Sequence, residues 1–419
     1  MACIWLSPEP TKYSCNHRAI GLPILGGRTS MSGVSEITGV AGGRVLLADG
    51  SFTVTDIRFD GGNIADIGGG RARASLNANG MLVLPGIVDI HGDAFERQMA
   101  PRPEVQFPLA MAMADTDRQL LSNGITTAFH GITCSWEGGL RGIDTARALV
   151  QHIACARTQD MFGADNRVHL RFENHNLEAV DEVIGWLHSG QVDFLAFNDH
   201  LPGIARKLDD HGRVAKYAER AGVSVSRFRE ILEASRKRGA EVAAAVQRLS
   251  EAAALREVPM ASHDDTSPEE RRRYQSLGCR IAEFPMGRKA ALAARELDNA
   301  VIMGAPNVVR GGSHINGVRA ADMVGEGICT VLASDYFYPA LLAAPFLLAK
   351  AGIAPLAEAW RLVSRNPARA AGLGDRGDIA TGQRADLILV DDSQPAMPRV
   401  VATIVRGQAR HVSRHLALH

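Results

Sequence analysis

The 419-residue sequence lacks an excess of either charge, closely spaced cysteines and a long hydrophobic run. Lysine plus arginine and aspartate plus glutamate both number 46, so no overall field draws the chain to nucleic acid or to an anionic membrane. The six scattered cysteines include no C-x-x-C pair, which argues against a disulfide framework or a structural zinc cluster and favours a reducing, cytoplasmic compartment. Pro8 interrupts the apolar run at 2–6 too early for a signal peptide or membrane span.

What the composition does contain is typical of a globular protein. Hydrophobic residues make up 46% and charged residues 22% of the chain, which is enough to bury a sizeable core. The length exceeds the roughly 100–200 residues of one ordinary domain and suggests a large catalytic domain with an accessory part. We expect residues 1–36 to be a poorly structured leader, with Met31 as a candidate start codon.

The sequence predicts eight buried strands that alternate with helices. Short apolar runs bounded by turn residues lie at 87–91, 126–130, 168–173, 193–198, 258–263, 280–284, 300–304 and 330–334. Helical spacing occurs between them at 109–123, 142–158, 178–188, 268–277 and 287–297. We therefore predict an α/β fold, a (β/α)8 TIM-type barrel over residues 85–373, and we consider a doubly wound open sheet the less favoured arrangement.

Two β-rich flanks and one long insertion lie outside this alternation. Short strands at 43–47, 51–59, 63–68, 385–390 and 400–406 predict a small composite β-sandwich domain built from residues 37–84 and 374–412. The insertion at 201–257 is dense in Lys, Arg and Glu at helical spacing. We favour a solvated helical pair that covers the C-terminal face of the barrel, with a lid over the substrate as the alternative.

Acidic residues and histidines recur at the C-terminal ends of five predicted strands, the face where barrels build their active sites. They are His91 and Asp93 after the first strand, Glu173 after the third, Asp199 and His200 after the fourth, His263, Asp264 and Asp265 after the fifth, and Asp335 after the eighth. A lone histidine more often satisfies a local hydrogen bond than binds a metal. The coincidence at one rim nevertheless favours a metal centre, because buried carboxylates and imidazoles need a cation there.

Some of these residues suggest a particular arrangement. His91 and Asp93 are two residues apart on a strand and so share a face on which they can grip one ion. A bridging carboxylate such as Glu173 would allow a second ion roughly 3.5–4 Å away. His130, His169 and His175 lie near strands and are candidates only for groups that support the ligands.

A second constellation follows the seventh strand. Arg310 stands beside two glycines on a loop that we expect to open a helix, where backbone N–H groups and a guanidinium suit a phosphate. Arg102, between two prolines after the first strand, is a further cation for the same rim. The candidate phosphate-binding residues are Arg102, Asn307, Arg310, Gly311, Gly312, Ser313 and His314. A plain tight turn is the alternative for the two glycines.

Two segments resemble the amidohydrolase superfamily: LPGIVDIH at 84–91 resembles its opening strand, and NPA at 366–368 with GQRADL at 382–387 its closing segment. Members usually carry His-x-His on the first strand, whereas Asp93 replaces the second histidine here. With Asp93 in place of that histidine, the chain is similar to the diphosphatases of the carbon–phosphorus lyase pathway, and the similarity runs from about residue 40 to 407. The matching motifs are PRP at 101–103, NDHLPG at 198–203, ASHDD at 261–265, AEFP at 282–285, residues 303–314 and SDY at 334–336.

The resemblance implies hydrolysis of alpha-D-ribose 1-methylphosphonate 5-triphosphate to the 5-phosphate and diphosphate. It further implies two divalent ions, of zinc, manganese or iron, with hydroxide attack on the alpha phosphorus and Asp335 as the catalytic residue that takes the proton. The implied metal ligands are His91, Asp93, Glu173, His200, His263 and Asp335. The rivals are a metal-dependent amidohydrolase acting on a cyclic amide or amine, and a non-catalytic scaffold. The expected partner is the small-molecule substrate, with a homodimer as the default assembly.

Overall fold

The computed structural model describes residues 37–70, 72–102, 105–208, 210–312, 318–394 and 397–413. The leader expected at 1–36 lies outside the described residues. The strands are β1 (Gly39–Leu46), β2 (Phe52–Asp60), β3 (Asn63–Ile67), β4 (Ser75–Asn77), β5 (Leu82–Pro85), β6 (Ile87–Gly92), β7 (Ile125–Cys134), β8 (Asp165–Glu173), β9 (Phe194–Asn198), β10 (Met260–His263), β11 (Ile281–Glu283), β12 (Ala300–Gly304), β13 (Val331–Ala333), β14 (Leu387–Asp391), β15 (Arg399–Val405) and β16 (Gln408–Val412).

The helices follow the barrel strands and fill the insertion. They are α1 (Glu96–Met99), α2 (Leu109–Ser122), α3 (Ile143–Thr158), α4 (Val180–His188), α5 (Leu201–Ala205), α6 (His211–Ala221), α7 (Val225–Lys237), α8 (Val242–Leu255), α9 (Pro268–Ser276), α10 (Arg288–Glu296), α11 (Ala305–Arg310), α12 (Ala320–Gly325), α13 (Pro339–Lys350), α14 (Leu356–Arg361) and α15 (Arg365–Ala370). Helix α9 begins where the sequence signals it: Pro268 is its first residue, and Ser267 Oγ accepts a hydrogen bond from the Glu270 N–H at 3.1 Å.

Eight parallel strands, β6 to β13, pair in sequence order and confirm the predicted barrel. Backbone hydrogen bonds bring the two ends of the sheet together: the Asp335 N–H donates to His91 O (3.0 Å) and the Asp93 N–H donates to Asp335 O (2.8 Å). Ser334 Oγ also donates to the buried Asp89 carboxylate at 2.6 Å. This closure places the ends of the first and eighth strands side by side.

The second sheet draws its strands from both ends of the described chain, which confirms the composite β-domain. Its order is β16-β15-β14-β5-β1-β2-β3, with β4 paired to β1. The antiparallel pairing of β14 with β5 joins the two ends, with Leu387 opposite Pro85. Strands β4, β5 and β16 were not predicted. No helix among the described residues has the length and hydropathy needed to span a membrane.

The insertion after β9 contains four helices, α5 to α8, where a helical pair was expected. Helices α5, α6 and α7 share an apolar cluster in which Val214, Phe228 and Leu232 are fully buried and Trp136 packs from the barrel side. Several charged residues of α6 and α7, such as Arg213, Lys216 and Arg236, are exposed. Each of these helices buries one apolar face in the shared cluster, so this part of the insertion has a small hydrophobic core of its own.

Candidate metal centre

A single carboxylate, Glu283 at the end of β11, faces three imidazoles. Its Oε1 lies 3.0 Å from Nδ1 of His91 and 3.6 Å from Nε2 of His169, and its Oε2 lies 3.2 Å from Nδ1 of His263. Burial alone would raise the pKa of Glu283, but His169 and His91 hold it well below its usual value. A carboxylate that engages Nδ1 leaves Nε2 of the same ring free for a cation, which is how proteins commonly orient histidine ligands.

A second cluster adjoins the first through His263. Nδ1 of His200 lies 2.5 Å from Oε1 of Glu173, and its Nε2 lies 3.3 Å from Oδ2 of Asp264. Burial would lower the pKa of His200, but these two carboxylates raise it to about 9. The ligand atoms of His200, His263 and Asp264 all lie within 4.8 Å of one another. Imidazole nitrogen and carboxylate oxygen at this spacing suit a divalent zinc, manganese or iron ion.

Arg171 reaches into the space between these clusters. His169, Arg171 and Glu173 alternate along β8 and so project to the same side. The Arg171 guanidinium lies 3.3 Å from Asp93 Oδ2 and 3.2 Å from Nε2 of His263. Asp93 therefore faces an arginine, where the sequence predicted that it would share an ion with His91.

Among the described residues, three non-glycine residues just after the C-terminal ends of barrel strands adopt left-handed backbone conformations. Asp264 (φ 60°) and Phe284 (φ 49°) directly follow β10 and β11, and Asp335 (φ 55°) lies two residues after β13. Such conformations cost of order 1–3 kcal/mol for residues with a side chain and concentrate at functional sites. Asp264 and Asp335 both line the cavity beside His263.

Two cavities meet at this cluster and share Arg171, His263, Asp264 and Met286. The first, the Arg310 cavity, has a volume of about 330 Å³ and is bounded by Arg310, Asp335 and Tyr336. The second, the insertion cavity, has a volume of about 590 Å³ and is bounded by residues of α5 and α6. The insertion thus contributes a wall to a cavity at the site, which corrects the favoured interpretation that it only covers the barrel.

The family model described as "Amidohydrolase family" matches residues 112–411. The chain belongs to the amidohydrolase family. It is 32% identical over 334 residues to the alpha-D-ribose 1-methylphosphonate 5-triphosphate diphosphatase of Escherichia coli (strain K12). The aligned region covers 76% of this chain and 85% of that protein. It is also 54% identical over 52 residues to the adenine deaminase of Methylobacterium sp. (strain 4-46), covering 12% of this chain and 9% of that protein.

Solved structures agree on the fold. The 5-methylcytosine deaminase of Klebsiella pneumoniae superimposes with a TM-score of 0.59 at 13% identity, covering 90% of this chain and 98% of that chain. At that identity the likeness shows the fold alone. Family membership and the clusters around His263 together make this amidohydrolase a metal-dependent hydrolase whose residues fit divalent ions.

The predicted ligands of this amidohydrolase fall into two sets. Among the described residues, the two groups of three mutually close ligand atoms are His91 with His263 and Glu283, and His200 with His263 and Asp264. Asp93, Glu173 and Asp335 belong to neither group, although each borders the site: Asp93 contacts Arg171, Glu173 contacts His200, and Asp335 lines the Arg310 cavity.

The predicted phosphate loop is arranged differently from the expectation. Gly311 (φ 76°) ends helix α11, so the two glycines close a helix and do not open one. The Gly311 and Gly312 N–H groups already donate to Val308 O (3.2 Å) and Asn307 O (3.0 Å). Both backbone amides therefore already have an acceptor at the helix end, and a role for them in phosphate binding stays a prediction.

The remaining candidates have different environments. The Asn307 side chain donates to Val318 O (3.1 Å) and accepts from the Ala320 N–H (3.0 Å), which ties down the start of α12. Arg310 donates to Tyr336 Oη at 3.2 Å and lines the cavity. Arg102 is exposed and is not part of the lining of either cavity. Ser313 and His314 lie outside the described residues.

Sequence reasoning missed Glu283 and Arg171 and left His169 as a supporting candidate. Glu283 lies one residue before the end of the sixth predicted strand, 280–284, so the rule that identified the other rim residues would have found it. Of the other two supporting candidates, His175 lies 3.6 Å from Asp199. His130 contacts Asn166 at 2.6 Å, in a buried network apart from the clusters around His263.

Proposed function

We propose that this enzyme hydrolyses alpha-D-ribose 1-methylphosphonate 5-triphosphate between the alpha and beta phosphates, releasing the 5-phosphate and diphosphate. One observation carries the proposal: two guanidinium groups, those of Arg310 and Arg171, line the cavity that adjoins the candidate metal ligands. A triphosphate needs such charge neutralisation, and planar guanidinium groups suit phosphate oxygens. The relation to the Escherichia coli diphosphatase supports the same substrate.

The proposed ligands of one ion are His200, His263 and Asp264. The residues proposed to complete a two-ion site are His91, Asp93, Glu173 and Asp335. When bound, divalent zinc, manganese or iron would neutralise phosphate charge and lower the pKa of a water molecule toward neutrality. Glu283 holds the rings of His91 and His263 through their Nδ1 atoms, and thereby presents Nε2 to the site.

The proposed reaction is an in-line displacement at the alpha phosphorus. A bond forms between the water oxygen and the alpha phosphorus, and the bond to the oxygen bridging the alpha and beta phosphates breaks. A carboxylate oxygen of Asp335 accepts the water proton, since this side chain lines the cavity beside His263. Arg310 neutralises the charge that accumulates on the departing diphosphate, which leaves as an anion and so needs no strong acid.

Phosphorus NMR of the manganese- or zinc-loaded protein with the ribosyl phosphonate triphosphate tests the proposal. We expect one equivalent of diphosphate for each 5-phosphate ester. Stepwise release of orthophosphate would contradict cleavage between the alpha and beta phosphates. Absence of reaction in a folded, metal-loaded protein would contradict the proposal as a whole.

Hydrolysis of a cyclic amide or amine is the second candidate. The short but close match to an adenine deaminase favours it. A neutral ring offers nothing to pair with Arg310, whose guanidinium would then face the cavity without a partner charge on the ligand. Incubation with adenine and related heterocycles, followed by ammonia release, separates the two candidates.

A further inference from the structure

We propose that the insertion cavity binds a second anionic group of the substrate, the phosphonate ester at C1 of the ribose, through Arg206 and Lys207. This inference rests on the proposed function and assigns the orientation of the substrate. The Arg310 cavity then receives the leaving diphosphate, and the larger insertion cavity receives the sugar with its phosphonate.

The first step of the argument is the geometry of the two cavities. They meet at Arg171 and at the proposed metal ligands His263 and Asp264, and their other walls come from different elements: α11 for the Arg310 cavity, and α5 and α6 for the insertion cavity. A molecule whose reacting bond lies at these residues therefore has one part in each cavity. The proposed substrate has its triphosphate at C5 and its phosphonate at C1, so its charged groups lie on opposite sides of the reacting phosphorus. The insertion cavity, at about 590 Å³, is the larger of the two and suits the larger part.

The second step is the charge on the walls of the insertion cavity. Its carboxylates are all engaged: Glu137 pairs with Arg220, Glu173 and Asp264 contact His200, and Asp199 lies 3.6 Å from His175. The fifth, Glu270, accepts hydrogen bonds from the N–H and Oγ1 of Thr266. Each of the five carboxylates in this cavity therefore has a hydrogen-bond or ion-pair partner.

Most cations of the same cavity also have partners. Arg141 pairs with Glu96 at 2.9 Å, Arg171 contacts Asp93, and Arg220 pairs with Glu137. Arg206 and Lys207 differ, because no carboxylate of the described residues lies within the 4.0 Å ion-pair distance of either. Among the described residues, the Arg206 side chain donates only through Nε, to Pro202 O at 3.3 Å, so none of them occupies its terminal nitrogens.

These two cations are adjacent residues at the end of α5, and both line the cavity. A guanidinium and an ammonium side by side can together contact the oxygens of one phosphonate or phosphate group. The chemistry they recognise is thus a tetrahedral oxyanion at the far end of the substrate from the leaving group. An uncharged C1 substituent would leave both cations unpaired.

The test compares two substrates in steady-state kinetics: the ribosyl phosphonate triphosphate and ribose 5-triphosphate, which lacks the phosphonate. The variant is Arg206→Gln with Lys207→Gln. We expect kcat/KM for the phosphonate substrate to fall about tenfold or more, mainly through KM, because charge-assisted hydrogen bonds are lost. With ribose 5-triphosphate, kcat/KM should stay within about twofold of the wild-type value.

The matched control is Arg213→Gln with Lys216→Gln, on α6 of the same insertion. Arg213 pairs with Asp210 at 3.0 Å, and neither residue lines the cavities. The control should not change kcat/KM for either substrate. Unchanged metal content and thermal midpoint establish that the cavity variant is folded.

Equal losses with both substrates, or no loss with either, would overturn the inference while leaving the proposed function intact. A variant that loses inhibition by diphosphate would also overturn it, because Arg206 and Lys207 would then bind the opposite end of the substrate. No turnover of either substrate by the folded, metal-loaded wild type would instead overturn the proposed function, and this inference with it.

Discussion

Replacement of Glu283 by glutamine tests the arrangement around which the site is built. The carboxylate faces Nδ1 of His91 at 3.0 Å and Nδ1 of His263 at 3.2 Å, so it accepts a hydrogen from each ring. Glutamine offers one carbonyl oxygen and one NH₂ group. One histidine must then accept at Nδ1 and carry its proton on Nε2, the nitrogen proposed to bind a metal ion.

The expected magnitude follows from that tautomer change. Loss of a carboxylate that orients a metal-binding histidine typically weakens metal affinity about 10- to 100-fold. This corresponds to about 1.4–2.7 kcal/mol of binding free energy. We expect the loss of metal affinity in Glu283→Gln to lie toward the upper end of this range, because the glutamine side chain cannot accept hydrogen bonds from both rings and so disturbs one of the two proposed ligands.

The assay is a zinc titration of the metal-free protein against a competing chromophoric chelator, with the thermal midpoint of each metal-free variant as the folding check. Glu251→Gln is the matched control, because this exposed glutamate on α8 accepts a hydrogen bond from Gln247 and forms no ion pair with the described residues. It should bind zinc as the wild type does. A folded Glu283→Gln protein with a zinc Kd within twofold of the wild-type value would refute the orienting role.

Three further predictions follow from particular contacts. Asp335→Asn should keep its metal content, because the amide oxygen can still act as a ligand, but should lose about 10²–10⁴-fold in kcat, as expected for a proton acceptor; near-normal turnover would contradict that role. Arg310→Gln should lower kcat/KM about 10- to 100-fold, since a charge-assisted hydrogen bond contributes about 1.5–3 kcal/mol, whereas an unchanged value would place the triphosphate elsewhere. Asp165→Asn should cost about 1.5–3 kcal/mol in urea unfolding at pH 7, because Arg376 (2.7 Å) and Arg384 (3.3 Å) lose the charge of their shared buried partner but keep Asp375 and Asp386. Arg167, together with Arg376 and Arg384, holds the pKa of Asp165 below its ordinary 3.8 despite burial, so its stabilisation is present above that pH and is lost progressively as the pH falls below it. The variant should therefore lose less stability than the wild type between pH 5 and pH 3, as urea unfolding at both pH values would show.

The sequence by itself determined the order and kind of the secondary structure. Each barrel strand is a short apolar run bounded by turn residues, and the start of α9 is marked by Ser267 and Pro268. These signals are local, since each is contained in a few neighbouring residues. The rule that barrel sites form at the C-terminal ends of the strands then predicts, from sequence position alone, that His200 and His263 lie at the same rim.

Only the tertiary structure decided which of these residues meet. Glu283 and His91 are 192 residues apart, and their contact depends on how far each strand extends and on which residues turn inward there. The same holds for Arg171, which contacts Asp93 although the two residues are 78 positions apart in the sequence. Gly311 closes a helix because the chain enters α11 directly after β12. The insertion lines a cavity because its own hydrophobic core holds α5 against the rim of the barrel. Pairings between distant segments depend on the packing of the whole barrel, and for that reason no pattern within a short stretch of sequence encodes them.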